Sequence, residues 1–194
     1  LSTSYMSDGI TLFNAFLQYK NTPHPLANGN ELTIKKVDVS NHEPIKANEV
    51  LIKFLSPLVV REHRINVPDR YYIYDDEGFA NVLNEVVAFQ LKTLANITGD
   101  EAAVTLIPVR PGKTVAKALG CNIRCSLGVY RLIAKPKVLN TLYQTGMGSR
   151  RAAGFGQFDI ILAHLNAAKA GKKRCIECYG MASETKSISF LLDT

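Results

Sequence analysis

Gly146-Met-Gly-Ser-Arg-Arg-Ala-Ala-Gly-Phe-Gly-Gln-Phe158 is the stretch on which the reading of this chain turns. Two Gly-x-Gly units flank five residues, two of them arginine. Glycine takes φ > 0 at no steric cost and lets backbones approach closely. Gly146, Gly148, Gly154 and Gly156 can therefore bring N–H groups near a phosphate. Arg150 and Arg151 would add charge-assisted contacts to the same group. The alternative is an ordinary glycine-rich connection between a helix and an edge strand. A Walker loop is excluded, because no Gly-Lys-Ser/Thr follows the second glycine. A dinucleotide fingerprint is excluded too, because it needs a strand first and a helix second. Here the order is helix, loop, strand.

Outward from the loop, Pro136–Thr145 reads as a short helix with Val138, Leu139 and Leu142 inward, and 157–162 as a strand. Upstream, Val50–Val60 is a β-rich run broken at Ser56-Pro57, so it bends there or lies at an edge. Asp75-Asp76 is the expected cap of a helix reaching about Asn96, with Phe79, Val82, Leu83, Val86, Val87 and Leu91 at helical spacing. Ala103–Val109 and Ser126–Ala134 read as strands, with Gly112–Gly120 a basic turn or continuation between them. From Glu49 the order is strand, helix, strand, strand, helix, strand, the split βαβ or ferredoxin-like arrangement. Residues 1–48 read as a strand at Leu1–Tyr5, a helix capped by Ser7 and Asp8, and a strand at Glu31–Val39. In that helix Ile10, Phe13, Phe16 and Leu17 form the expected inward face. This is the second half of the same unit. The fold class is α+β, with tandem ferredoxin-like (RRM-like) domains, the first incomplete. Residues 1–48 and 49–162 form the two domains, and 163–194 a tail or linker.

The 194 residues are 46% hydrophobic and 21% charged, a globular composition. Formal net charge is +6, with a pI near 9.1. Between Ala102 and Phe158 stand nine Lys/Arg and no Asp/Glu: Arg110, Lys113, Lys117, Arg124, Arg131, Lys135, Lys137, Arg150 and Arg151. Such a one-sign stretch reads as a nucleic-acid face. Its alternative is a surface balanced by acids from elsewhere, such as Asp75, Asp76 and Glu77. No apolar run is long enough to predict a membrane-spanning helix. The start, Leu1-Ser-Thr-Ser-Tyr5, is not a signal peptide and lacks an initiator methionine. A fragment, or a module of a fusion, is expected.

The residues resemble a known family, the CRISPR repeat-processing endoribonucleases (the Cas-six family of the repeat-associated RNA-binding superfamily). Gly146–Phe158 is similar to the family's C-terminal signature, two Gly-hydrophobic-Gly units around a basic segment. Val50-Leu-Ile-Lys-Phe-Leu-Ser-Pro-Leu-Val-Val-Arg61 resembles the strand opening its second domain, and Leu142-Tyr-Gln-Thr its helix into the loop. The resemblance implies a cytoplasmic protein of two ferredoxin-like domains. It implies binding of CRISPR repeat RNA and cleavage without metal, by attack of the ribose 2′-hydroxyl. Other Cas proteins or a fused module are the further partners implied. The family's usual catalytic histidine lies on the first helix of the first domain, which has no counterpart in this reading. The expected RNA contacts are Arg150, Arg151 and the loop glycines, with Lys113, Lys117, Arg124 and Arg131 along the RNA path. A non-catalytic RNA-binding subunit and a nucleotide-binding regulatory domain are the alternatives.

Of the histidines, His24 falls in a loop, His42 in the linker and His164 beyond the last strand. His63, among Arg61 and Arg64, is the one candidate for catalysis or phosphate contact. Tyr71, Tyr72 and Tyr74 are either base-stacking rings or strand filling. Cys121 and Cys125, with Cys175 and Cys178, could build a structural zinc site, though no cofactor is required. The other reading is four free thiols. Lys172, Lys173 and Arg174 make the tail basic.

Overall fold

The computed structural model describes residues 6–38, 43–118 and 120–162. The strand predicted at Leu1–Tyr5, His42, and the tail with His164, Lys172, Lys173, Arg174, Cys175 and Cys178 lie outside them. The chain separates into two units, with a break between Glu43 and Pro44.

In the first unit, helix α1 spans Met6–Gln18. Ser7 and Asp8 lie within its first turn rather than capping it, where Asp8 favours the positive end of the helix dipole. Ile10 and Leu17, expected inward, are exposed, while Phe13 and Phe16 are half-buried. Strands β1 (Pro23–Pro25) and β2 (Glu31–Thr33) pair antiparallel. The strand predicted to Val39 stops early. Ile34 makes only an isolated bridge to Lys20, and Lys36 pairs with Asp38 beyond it.

The second unit runs β3 (Glu49–Phe54), β4 (Val60–Arg64), β5 (Val67–Tyr72), α2 (Phe79–Ala95), β6 (Thr105–Ala118), β7 (Cys121–Ile133), α3 (Pro136–Thr145) and β8 (Phe158–Leu162). Its main sheet has the order β6-β7-β3-β8, with every pair antiparallel. This is the predicted ferredoxin-like arrangement. It follows from alternation: Val50, Ile52 and Phe54 of β3 point to one face, against Tyr130 and Leu132 of β7. Leu83, Val87 and Leu91 of α2 and Val138, Leu139 and Leu142 of α3 close that face. Burying each such leucine contributes about 1.5–3 kcal/mol.

Two expectations are corrected. The Val50–Val60 run is not one bent strand: β3 ends at Phe54 and lies inside the sheet, and Val60 opens β4. A separate β4–β5 ribbon therefore stands between β3 and α2, and no sequence signal predicted it. Asp75-Asp76 does not cap α2. Gly78, at φ 86°, precedes Phe79, while the Asp76 carboxylate accepts the Ile73 N–H (3.0 Å) and closes the turn before the helix. Of the two readings given for Gly112–Gly120, a turn or a strand continuation, the continuation is observed: β6 runs on to Ala118 and pairs with β7.

Pro108 and Pro111 are tolerated because β6 is an edge strand. Val109 bulges between Pro108, opposite Tyr130, and Arg110, opposite Val129. Beyond the bulge the ribbon covers a second, smaller core of Val59, Ile123, Cys125 and Phe155.

Candidate nucleic-acid interface

The glycine loop is first of all a packing device. Met147 N–H donates to the Gly156 carbonyl (2.9 Å), and Gly156 N–H to that of Pro57 (2.9 Å). Ser149 N–H donates to the Val59 carbonyl (2.8 Å), and Gln157 N–H to Ser56 Oγ (2.9 Å). A Cβ on Gly148 would stand 2.6 Å from the Val59 oxygen, and one on Gly156 only 1.9 Å from that of Met147. The paired Gly-x-Gly units thus approach each other and the β3–β4 crossing. They do not leave all their N–H groups for a phosphate. The Gln90 amide fixes the start of the loop, donating to the Gly146 carbonyl (2.7 Å) and to Thr145 Oγ1 (2.9 Å).

What remains open is the middle. Among the described residues, the N–H groups of Gly148, Arg150, Arg151 and Ala152 donate to no protein acceptor. Arg150 is left-handed (φ 61°, ψ 25°) and is followed at once by a right-handed turn, Arg151–Ala153. Consecutive residues of opposite hand turn their N–H groups into one concavity, an anion-binding nest. Arg151 is spent differently. Its guanidinium donates to the carbonyls of Gly148 (3.2 Å) and Thr145 (3.4 Å), covering the end of α3.

Beside the nest stands a cluster built on Asp69. Arg61 Nη1 lies 2.8 Å from Asp69 Oδ2, His63 Nδ1 2.7 Å from Oδ1, and Arg150 Nη2 3.4 Å from Oδ2. Arg150 Nη2 also donates to the Tyr71 hydroxyl (3.2 Å), and its buried Nε has no partner. A β-bulge produces this meeting: Glu62 opposes Arg70 and Arg64 opposes Val67, so His63 alone faces Pro68 and Asp69. The hydrogen bond from His63, then that from Arg61, holds the Asp69 carboxyl down at about 2. The Tyr71 hydrogen bond raises Arg150, which stays a cation. Ser149 Oγ accepts the Arg61 N–H (3.3 Å) and ties the loop to β4.

These groups open on one cleft of about 590 Å³. Arg61 and His63 form one wall, Gly148–Ala152 another, and Val86 and Phe89 of α2 a third. Phe89 is 73% exposed, an available ring beside cationic groups. The volume suits a small ligand or a nucleotide.

The other expected contacts do not reach the cleft. Lys113 pairs with Asp75 (2.6 Å), Arg124 with Asp76 (3.1 Å) and Arg131 with Glu49 (3.2 Å). Lys135 pairs with Glu101 (3.1 Å). The acid-free stretch is thus partly neutralised by acids from elsewhere, the alternative noted from sequence. Among the described residues Arg110, Lys117 and Lys137 keep no acidic partner. Lys117 and Lys113 lie on β6 with Arg110 and do not line the cleft.

Tyr72 and Tyr74 are packing residues, while Tyr71 meets Arg150 through its hydroxyl. Tyr72 is buried with its hydroxyl on Glu62 (2.7 Å), and Tyr74 packs edge-on to Tyr130. His24 stands edge-on to Tyr19 in β1. Cys121 and Cys125 lie four residues apart in one strand, about 13 Å along it, too far to share one ion at Zn–S distances near 2.3 Å. Cys125 is buried in the second core, where desolvation raises its thiol; Cys121 is exposed. Cys175 and Cys178 lie outside the described residues. Among those described, no group of three or more His, Cys, Asp or Glu is placed to hold a metal ion.

Sequence reasoning missed Asp69, Ser149 and Phe89, and named Tyr71 only for its ring, not for the hydroxyl that meets Arg150. Only the Ile65-Asn66 turn, with Asn66 at φ 63°, could have signalled the ribbon that carries Asp69 to His63.

Fold and site together define a ferredoxin-like α+β protein whose glycine-closed loop lines a cleft shared with Arg61 and His63. Residues 39–160 match the family described as CRISPR associated protein Cas6, C-terminal. The chain belongs to that family, as the glycine loop and the Val50–Arg61 strand led us to expect. It is similar in structure to a Cas6-related protein of Pyrococcus furiosus, with a TM-score of 0.71 at 19% identity, over 82% of this chain and 65% of that one. A RAMP protein binding different RNA substrates gives a TM-score of 0.68 at 20% identity, over 82% and 66%. A Cas6 product complex gives 0.56 at 13%, over 76% and 69%. At these identities the likeness is one of fold, and the chain spans about two thirds of each relative's length. No curated protein matches in sequence. Among the described residues, no helix is long and apolar enough to cross a membrane.

Proposed function

We propose that this chain binds the repeat RNA of a CRISPR precursor transcript and cuts it without metal, to give guide RNAs. The observation that carries the reading is the nest at Arg150–Ala152, opening with Arg61, His63 and Arg150 on one cleft. Nest N–H groups and guanidinium cations suit a phosphodiester. They also suit the extra charge that develops on it when a 2′-hydroxyl attacks. Phe89 offers a face on which a base can stack. Family membership and relatives described as binding RNA support the same reading.

A labelled repeat RNA incubated in EDTA is expected to yield a 2′,3′-cyclic phosphate and a 5′-hydroxyl. The same RNA with a 2′-deoxy sugar at the scissile position is expected to bind and stay whole. A non-catalytic RNA-binding subunit is the second reading, since the nest and the guanidinium groups of Arg61 and Arg150 suit a phosphodiester whether or not it is cut. It predicts binding of both RNAs and cleavage of neither.

A further inference from the structure

We propose that the cleft selects a guanine base of single-stranded RNA, stacked on Phe89 with its Watson–Crick edge on the Glu85 carboxylate. The proposal rests on the RNA-binding reading above and adds which base the site takes.

Glu85 does not suit a site made for phosphate alone. Arg61, His63 and Arg150 bring cationic groups to the cleft, and the nest adds open N–H groups. A carboxylate among them repels an RNA backbone laid over it. Two glutamates line the cleft. Glu62 is committed, accepting from Arg64 Nε (2.8 Å) and from the Tyr72 hydroxyl (2.7 Å). Glu85 is exposed and, among the described residues, forms no ion pair. The side-chain hydrogen bonds of α2 belong to Asn84, Gln90 and Thr93, and none reaches it. Its oxygens are therefore open acceptors.

Phe89 follows Glu85 by four residues on α2, so the two side chains are neighbours on one helix face. Phe89 is 73% exposed, and Val82 and Val86 continue the apolar surface along the same wall. Gln90, buried and also lining the cleft, donates both amide hydrogens to Thr145 and Gly146 and keeps Oε1 without a protein partner. The α2 wall thus offers a ring face and acceptors, while the other walls offer donors. An unstacked base is held in that way, by its face on an aromatic ring and by hydrogen bonds along its edge.

The choice of base follows from the donors each one carries. An ionised carboxylate only accepts. Its two oxygens match two adjacent donors, and of the four RNA bases guanine alone has them on its Watson–Crick edge, at N1–H and the N2 amino group. Adenine and cytosine set a ring-nitrogen acceptor beside the amino group. Uracil flanks its N3–H with two carbonyls. Each of these three turns an acceptor toward a carboxylate oxygen and leaves it unpaired. The remaining acceptors of guanine, O6 and N7, suit the donors of Arg61 and His63, and its phosphates are left to the Arg150–Ala152 nest.

The test is fluorescence anisotropy of the whole chain with uncleavable 2′-fluoro RNA pentanucleotides, UUNUU, where N is guanine, adenine, cytosine or uracil. The guanine oligomer is expected to bind tighter than the other three by about 10-fold or more. Inosine at the same position lacks the N2 amino group and is expected to lose about 5-fold or more. Glu85→Ala, at an exposed helix position, is expected to keep its circular dichroism and to bring guanine within about 3-fold of the other bases. Phe89→Ala is expected to weaken all four by about 5-fold or more and to keep the preference. Equal binding of the four by the wild type overturns the proposal, as does a guanine preference that survives Glu85→Ala. Failure to bind any pentanucleotide while repeat RNA binds also overturns it, and leaves the RNA reading standing. No binding of the repeat RNA either removes both.

Discussion

Gly156→Ala separates a glycine that packs from one that cradles a ligand. The new Cβ would meet the Met147 carbonyl oxygen at 1.9 Å, with Met147 C at 3.0 Å and N at 3.3 Å. All three are backbone atoms, so no side chain can turn aside. Relief requires opening the Met147–Gly156 hydrogen bond, the Gly156–Pro57 bond, or both. Each such bond contributes about 0.5–1.5 kcal/mol net. The left-handed φ of 76° adds about 1–2 kcal/mol for a residue with a Cβ. With both bonds opened the sum is a loss of about 2–5 kcal/mol, a large share of ordinary domain stability. Gly154 is the internal control: its φ is 85°, but nothing lies within 4 Å of its Cβ. Gly154→Ala pays only the backbone term, about 1–2 kcal/mol. Urea unfolding followed by circular dichroism reads both. Equal losses for the two variants would refute the packing role. So would a stable Gly156→Ala chain whose RNA binding alone has failed.

Three further outcomes follow from the same geometry. Arg151→Ala removes the two guanidinium bonds to the Gly148 and Thr145 carbonyls, and is expected to cost about 1–2 kcal/mol in urea unfolding. Arg151→Lys, a point charge without the fork, is expected to recover only part of it. Asp69, lowered from 3.8 to about 2, stabilises the fold fully above pH 3.8 and loses that contribution as pH falls toward 2. Acid unfolding of Asp69→Asn is expected to be flatter in that window than wild type. A thiol reagent is expected to modify Cys121 in the native chain, with Cys125 reacting only on unfolding; equal native rates would contradict its burial.

How much of this was legible depended on whether apolar spacing or distant partners made the feature. Val50, Ile52 and Phe54 alternate, and Phe79, Val82, Leu83, Val87 and Leu91 recur at helical spacing; all are buried, and the ferredoxin-like order follows from them. Pro136 at the first turn fixed α3 as predicted. The β4–β5 ribbon was hidden because Arg61, Glu62, His63 and Arg64 give no apolar alternation. The strand read at Ala103–Val109 runs on past Pro111 and Gly112 to Ala118, which an edge strand accommodates. Positive φ at the loop glycines was foreseeable from glycine itself. What they approach, the backbone of Val59 and Met147, was not. The nine cations of the acid-free stretch looked like one field. Asp75, Asp76, Glu49 and Glu101, far away in sequence, neutralise four of them.

Whether the cleft is an RNA site is decided by the affinity of the wild type and of Arg150→Ala for uncleavable 2′-deoxy repeat RNA, across salt concentrations. We predict a steep fall of affinity with salt. For Arg150→Ala we predict a loss of about 1–3 kcal/mol and a slope shallower by about 1. A shallow slope that the substitution leaves unchanged, with mononucleotides binding as well as the repeat, would contradict it.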